Sequence, residues 1–82
     1  MHEMGVADSI LQAVDKELLR YPGRRAVKVS VKIGNLAGVD RESLHFCFDS
    51  MVKGTTWEPL ELDVQPAAGD ELDFSALELE EI

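Results

Sequence analysis

Cysteine, long apolar runs and positive charge are all scarce in this sequence. Cys47 is the single cysteine of 82 residues, so neither an internal disulfide nor a metal site that needs several thiolates can form within one chain. No apolar run approaches the roughly 20 residues of a membrane-spanning helix. The N-terminus also lacks the positive segment and the uninterrupted apolar core of a signal peptide. We therefore expect a cytoplasmic protein without a membrane partner.

Acidic residues outnumber basic ones by sixteen to eight, which gives a net charge of −8. A chain without a basic patch cannot replace the counterions of a phosphate backbone, so we expect no nucleic-acid partner. Catalytic patterns are missing as well: no plausible Ser-His-Asp set, no glycine-rich phosphate loop and no H-E-x-x-H motif occurs. We expect a single small domain, residues 1–82, that is not an enzyme.

Two segments have the period of an amphipathic helix. In residues 4–20, apolar residues recur at spacings of three and four, and Tyr21-Pro22-Gly23 follows as a stop signal. In residues 41–53, a second apolar stripe follows Asp40, which suits the N-cap position. Gly54 suits the left-handed position just after a helix.

Three further segments alternate between apolar and polar residues, as strands do. The first contains Val27, Val29, Val31 and Ile33; the second spans residues 60–64; the third runs from Leu72 to Leu79. The alternation of the third slips near Ser75, which predicts a β-bulge. The element order α-β-α-β-β predicts an α+β fold, in which two helices pack on one face of a three-stranded mixed sheet.

The first three residues, Met1-His2-Glu3, could bind a metal ion. His2 is too large for removal of Met1 after translation, so a free α-amine should stand beside the His2 imidazole. An amine, an imidazole and deprotonated backbone amides form an all-nitrogen chelate of the kind that square-planar Ni(II) or Cu(II) prefers. Any chain beginning Met-His has the same atoms, so a solvated, frayed terminus is the competing interpretation.

Several segments, taken in chain order, match the pattern of one known family: Met1–Met4, Ala7–Leu11, Val31–Val39 (VKIGNLAGV), Glu42–Asp49 (ESLHFCFD), Lys53–Thr55 (KGT), Leu60–Val64 and Gly69–Glu80. Through these segments the chain as a whole resembles the HypA/HybF hydrogenase-maturation metallochaperones. It implies Ni(II) as the bound metal and a hydrogenase-maturation GTPase as partner, with a hydrogenase precursor as a further partner; some members also serve urease. It implies nickel ligands at Met1, His2 and Glu3, with Asp40 near the metal.

The chain departs from the family in one large respect. The family carries a zinc module with two CxxC pairs between its last two strands, whereas residues 65 and 71 are here separated only by the turn Pro66–Asp70. No structural zinc is therefore expected. Two other interpretations stay open: a non-metal interaction module that docks a maturation GTPase, or an engineered domain with the zinc module deleted. The chain would be a monomer or a domain-swapped dimer.

Overall fold

A computed structural model describes residues 2–82. Helix α1 spans Glu3–Leu18 and helix α2 spans Arg41–Val52. The strands are β1, Arg24–Gly34; β2, Glu61–Ala67; and β3, Leu72–Glu81. The order α1-β1-α2-β2-β3 is the one predicted, and the fold is α+β.

The first strand lies at the centre of the sheet, whose spatial order is β2-β1-β3. β2 runs parallel to β1, and β3 runs antiparallel to it. Both helices lie on one face, because Val29, Val31 and Ile33 of β1 are buried there while Lys28 and Lys32 on the opposite face are exposed. The predicted mixed sheet with helices on one face is confirmed.

Apolar side chains from four of the five elements form one core. The largest of those that are completely buried are Leu11 and Val14 of α1, Val29 and Val31 of β1, and Leu44 and Phe48 of α2. Each of these residues falls on the apolar face that its period predicts. Met4 is the first apolar residue of the predicted helix 4–20, but it lies in the first turn at the edge of the stripe and is 55% exposed.

Two irregularities of β1 and β3 adjust which residues face the core. The pairing of the two strands shifts between Ala26 and Lys28, so Ala26 is buried and Val27 is only half-buried. The alternation had placed Val27 in the core, and this bulge is the reason why it does not lie there. A second shift leaves Ser75 as an extra residue between Phe74 and Ala76, which confirms the bulge predicted there.

The connection between β2 and β3 is shorter than predicted. Pro66 and Ala67 continue β2, opposite Ile33 and Gly34 of β1, so that only residues 68–71 form the turn. An edge strand tolerates proline because one side of its backbone needs no donor. Gly34 packs directly against the carbonyl oxygen of Gly69, and any side chain at position 34 would collide with it.

Within residues 2–82, no helix has both the length and the apolar character needed to cross a bilayer.

Candidate metal centre

The candidate ligands His2 and Glu3 lie where helix α1 begins. His2 occupies the N-cap position in extended backbone geometry, with φ −83° and ψ 109°, and its side chain is exposed. Its carbonyl oxygen accepts the first helical hydrogen bond, from the backbone N–H of Val6 at 3.1 Å. Its imidazole makes no capping hydrogen bond to the residues described. The side chain at this N-cap is therefore not used to stabilise the helix. Met1, the other predicted ligand, lies outside the described residues.

Backbone amides at this end have no acceptor inside the helix. The first N–H groups of any α-helix lack a carbonyl four residues earlier, and a side-chain cap normally satisfies one or two of them. In α1 the helical ladder starts only at Val6. The backbone nitrogens of His2 and Glu3 can consequently lose a proton and bind a metal without breaking a bond of that ladder.

Glu3 connects this end of α1 to the start of α2. Its carboxylate oxygen Oε2 accepts a hydrogen bond from the backbone N–H of Asp40 at 3.1 Å. Asp40 is the N-cap of α2, and its Oδ1 accepts from the backbone N–H of Ser43 at 3.1 Å. The structure thus brings Glu3 and Asp40, which are 37 residues apart, to the same end of the molecule. The predicted capping role of Asp40 is confirmed.

The loop before Asp40 is fixed by contacts with the turn between β2 and β3. The backbone N–H of Leu36 donates to the carbonyl oxygen of Gly69 at 2.7 Å, and Asn35 Oδ1 accepts from the N–H of Gly69 at 3.2 Å. Together with the close approach at Gly34, these bonds define the path of the loop that carries Asp40. The glycines and the asparagine of this loop therefore support the position of Asp40 next to Glu3.

Two acidic residues, Glu3 and Asp40, lie near the start of α1. Glu3 is half-buried in the first turn of the helix, where the positive end of the helix dipole favours an anion. Within residues 2–82, no three His, Cys, Asp or Glu side chains converge as a metal site. The arrangement at this end thus consists of backbone nitrogens, one imidazole and two acidic side chains. One of the two, Glu3, accepts a hydrogen bond from the backbone N–H of the other acidic residue, Asp40.

Other residues with reactive side chains lie elsewhere and have structural surroundings. Cys47 is half-buried and packs against the core. Trp57 also packs against the core, and its Nε1 donates to Asp15 at 2.9 Å. His45 is half-buried on α2. The bond from Asp40 to Glu3 was not predicted, because no local pattern indicates a contact between residues so far apart.

The described residues form a small α+β domain in which His2 and Glu3 begin α1 next to Asp40, the cap of α2. The family model described as "Hydrogenase/urease nickel incorporation, metallochaperone, hypA" matches residues 1–72. The chain therefore belongs to the HypA family, as the sequence predicted. Residues 73–82 lie beyond the matched range, so the resemblance of the last strand stays a prediction.

Curated relatives agree with this assignment. The chain is 44% identical over 68 residues to the hydrogenase maturation factor HypA of Chlorobium limicola, a match that covers 83% of this chain and 59% of that protein. It is 38% identical to the factor of the same name from Chlorobaculum tepidum, over 84% of this chain and 61% of the relative. A third, from Geotalea daltonii, is 38% identical over 84% and 62%. The chain thus spans about three-fifths of the length of these relatives.

Proposed function

We propose that this chain binds one Ni(II) ion as cargo for the maturation of a hydrogenase or urease. The ligands would be the α-amine of Met1, the imidazole of His2 and the backbone nitrogens of His2 and Glu3. One observation supports the proposal above all others: within residues 2–82 the N-cap side chain of α1 makes no capping bond, and the amides behind it have no acceptor in the helix. Those nitrogen atoms are therefore available to a metal.

Charge balance at the helix N-terminus favours ionised amides over neutral donors. A bare cation is disfavoured there, because the helix dipole is positive at this end. Each amide nitrogen that ionises offsets one of the two positive charges of nickel, and an all-nitrogen set suits the square-planar geometry that Ni(II) adopts. Binding through such ligands releases protons, so the nickel affinity should fall as the pH falls.

Asp40 and Glu3 have secondary roles in the proposed site. Asp40 has already used Oδ1 for the cap of α2, which leaves Oδ2 as the oxygen that could approach the metal. The Glu3 carboxylate holds the backbone of Asp40 in place. We assign Asp40 a smaller part in nickel binding than His2, because its capping bond exists without the metal.

The experiment is a calorimetric titration of Ni(II) into chain that begins at an unmodified Met1. We expect about one nickel per chain, since each N-terminus provides one chelate. His2→Ala, or a two-residue extension ahead of Met1, should weaken binding by about a hundredfold or more, which corresponds to about 2.7 kcal/mol. The matched control is His45→Ala, because His45 is the only other histidine. Unchanged affinity in the His2→Ala or extended chain would show that the site assignment is wrong.

The partners are the second half of the proposal. A maturation GTPase and a hydrogenase precursor would receive the nickel. The chain would act as the nickel-binding domain alone, and residues 68–71 would take the position at which the family carries its zinc module. The competing function is an interaction module without metal, which is favoured by the partly exposed apolar side chains of Leu72 and Phe74. Pull-down of the GTPase with and without nickel separates the two. Binding that ignores both nickel and His2→Ala supports the competing function.

A further inference from the structure

A groove of about 510 Å³ runs between helix α1 and strand β3. Val6, Ile10 and Ala13 of α1 line one side of it, while Leu72 and Phe74 of β3 line the other. Leu72 and Phe74 lie opposite Ile33 and Val31 of β1, so they belong to the helix-facing side of the sheet. Both remain 40% exposed, because α1 covers β1 more completely than it covers β3. The groove is therefore an apolar surface that the helices leave incompletely covered.

The outer edge of β3 borders this groove. β3 has ten residues and pairs only with β1 among the strands of residues 2–82. A strand at the edge of a sheet presents unpaired N–H and C=O groups, which can pair with a further strand. The opposite edge, β2, has seven residues, includes Pro66 without an N–H group, and has the Val64 carbonyl occupied by Arg41 at 3.1 Å. Of the two edges, β3 is the one better suited to pairing.

Charge indicates what kind of strand could pair there. Residues 54–82 contain nine acidic residues and no Lys, Arg or His. On the face away from the helices, the acidic residues of β3 lie opposite basic residues of β1. These pairs are Asp73 with Lys32, Glu78 with Lys28, and Glu80 with Arg25, the last joined by an ion pair of 2.6 Å. β1 itself thus shows the pattern that fits β3: Lys or Arg on one face and aliphatic residues on the other.

We propose that the free edge of β3 and the adjoining groove bind an extended segment of a partner protein, in which Lys or Arg alternates with aliphatic residues. The segment adds a fourth strand beside β3, its aliphatic side chains enter the groove, and its basic side chains lie next to Asp73, Glu78 and Glu80. A second copy of this chain fits poorly, because pairing β3 with itself brings acidic residues together. The proposal goes beyond nickel binding and does not require it, although His2 also lines the groove.

The test uses the metal-free protein and an acetylated, amidated decapeptide of alternating lysine and valine. Binding is followed by fluorescence anisotropy and located by amide chemical shifts in ¹⁵N-labelled protein. We expect saturable binding with the largest shifts in Leu72–Glu81. Replacing every lysine of the peptide by glutamate should weaken binding at least about tenfold, and N-methylation of alternate peptide residues should do the same, because it removes the donors along one edge. N-methylated peptide that binds as well as the parent overturns strand addition.

Matched variants test the assignment to β3 rather than β2. Glu78 and Glu61 are both exposed and both lie opposite Lys28, one on each side of β1. Glu78→Gln should weaken the lysine–valine peptide about threefold, whereas Glu61→Gln should leave it unchanged. Equal effects of the two, or shifts centred on β2, contradict the proposal. Sedimentation that shows a dimer lost in Phe74→Ser would assign the groove to a second copy and overturn the proposed occupant. None of these outcomes depends on whether nickel binds.

Discussion

The two helices of this molecule begin in opposite ways. At the start of α2, Asp40 accepts a hydrogen bond from the backbone N–H of Ser43, which is the usual arrangement for an aspartate N-cap. At the start of α1, His2 occupies the same position, but its side chain makes no such bond to the residues described. The first helix start therefore lacks a stabilising contact that the second one has.

This difference distinguishes the helix start that has a stabilising side-chain cap from the one that does not. A capped helix start keeps its amides occupied, while an uncapped one leaves them available to a ligand. Glu3 links the two helix starts by accepting from the N–H of Asp40, so the capped helix supports the position of the uncapped one. Substitutions at each helix start should reverse or separate these roles.

The largest effect is expected when His2 is converted into a good cap. In His2→Asn, the side chain can accept from the α1 backbone, which should raise the free energy of unfolding by about 0.5–1 kcal/mol. The same change removes the imidazole, so nickel affinity should fall by about a hundredfold or more. Urea unfolding and nickel titration measure the two changes. A free energy of unfolding that fell in His2→Asn, alongside the expected loss of nickel affinity, would show that the account of an uncapped helix start is wrong.

Removal of the α2 cap should have a smaller effect, confined mainly to stability. Asp40→Ala should lower the free energy of unfolding by about 1 kcal/mol, whereas Asp40→Asn should retain most of it, since asparagine caps helices as well as aspartate does. Nickel affinity in Asp40→Asn should change by no more than about threefold. A loss comparable to that of His2→Ala would make Asp40 a principal ligand instead of a marginal one.

The smallest effects are expected from the two acidic residues in the first turns. Glu3→Gln keeps an oxygen that can accept from Asp40 but removes a negative charge near the helix dipole, which should cost about 0.3–1 kcal/mol. Glu42 has the equivalent place in α2, so Glu42→Gln is the matched control with a similar cost. Only Glu3→Gln should weaken nickel binding, by a few-fold. Equal nickel affinities in the two variants would show that the charge of Glu3 has no role there.

Local patterns were sufficient for most of the fold. The order of elements, the Asp40 cap and the bulge at Ser75 each follow from the spacing of a few neighbouring residues, and each is confirmed. The bulge at Ala26–Lys28 was missed, because alternation around Val27 looks regular until the partner strand is known. The turn was placed too early, since Pro66 was taken to end a strand that it continues at the edge of the sheet.

The candidate site was less predictable than the fold. Residues 1–3 could be selected from the chemistry of their nitrogen atoms, and the family resemblance made nickel the expected metal. The contact of Glu3 with Asp40 and the groove beside β3 depend on how α1 lies against the sheet. Such contacts join residues distant in the chain, and no periodicity in a single sequence specifies them.

The most direct test of the central claim is the number of protons released when nickel binds. Calorimetry in buffers of different ionisation enthalpy, at about pH 9, measures this number under conditions where the α-amines and imidazoles of peptides are already largely unprotonated. Ligation by backbone nitrogens predicts at least about one proton per nickel, because each coordinated amide must ionise. His2→Ala, which lacks the imidazole that anchors the chelate, should lose this release. Tight nickel binding to the native chain without proton release would contradict the account.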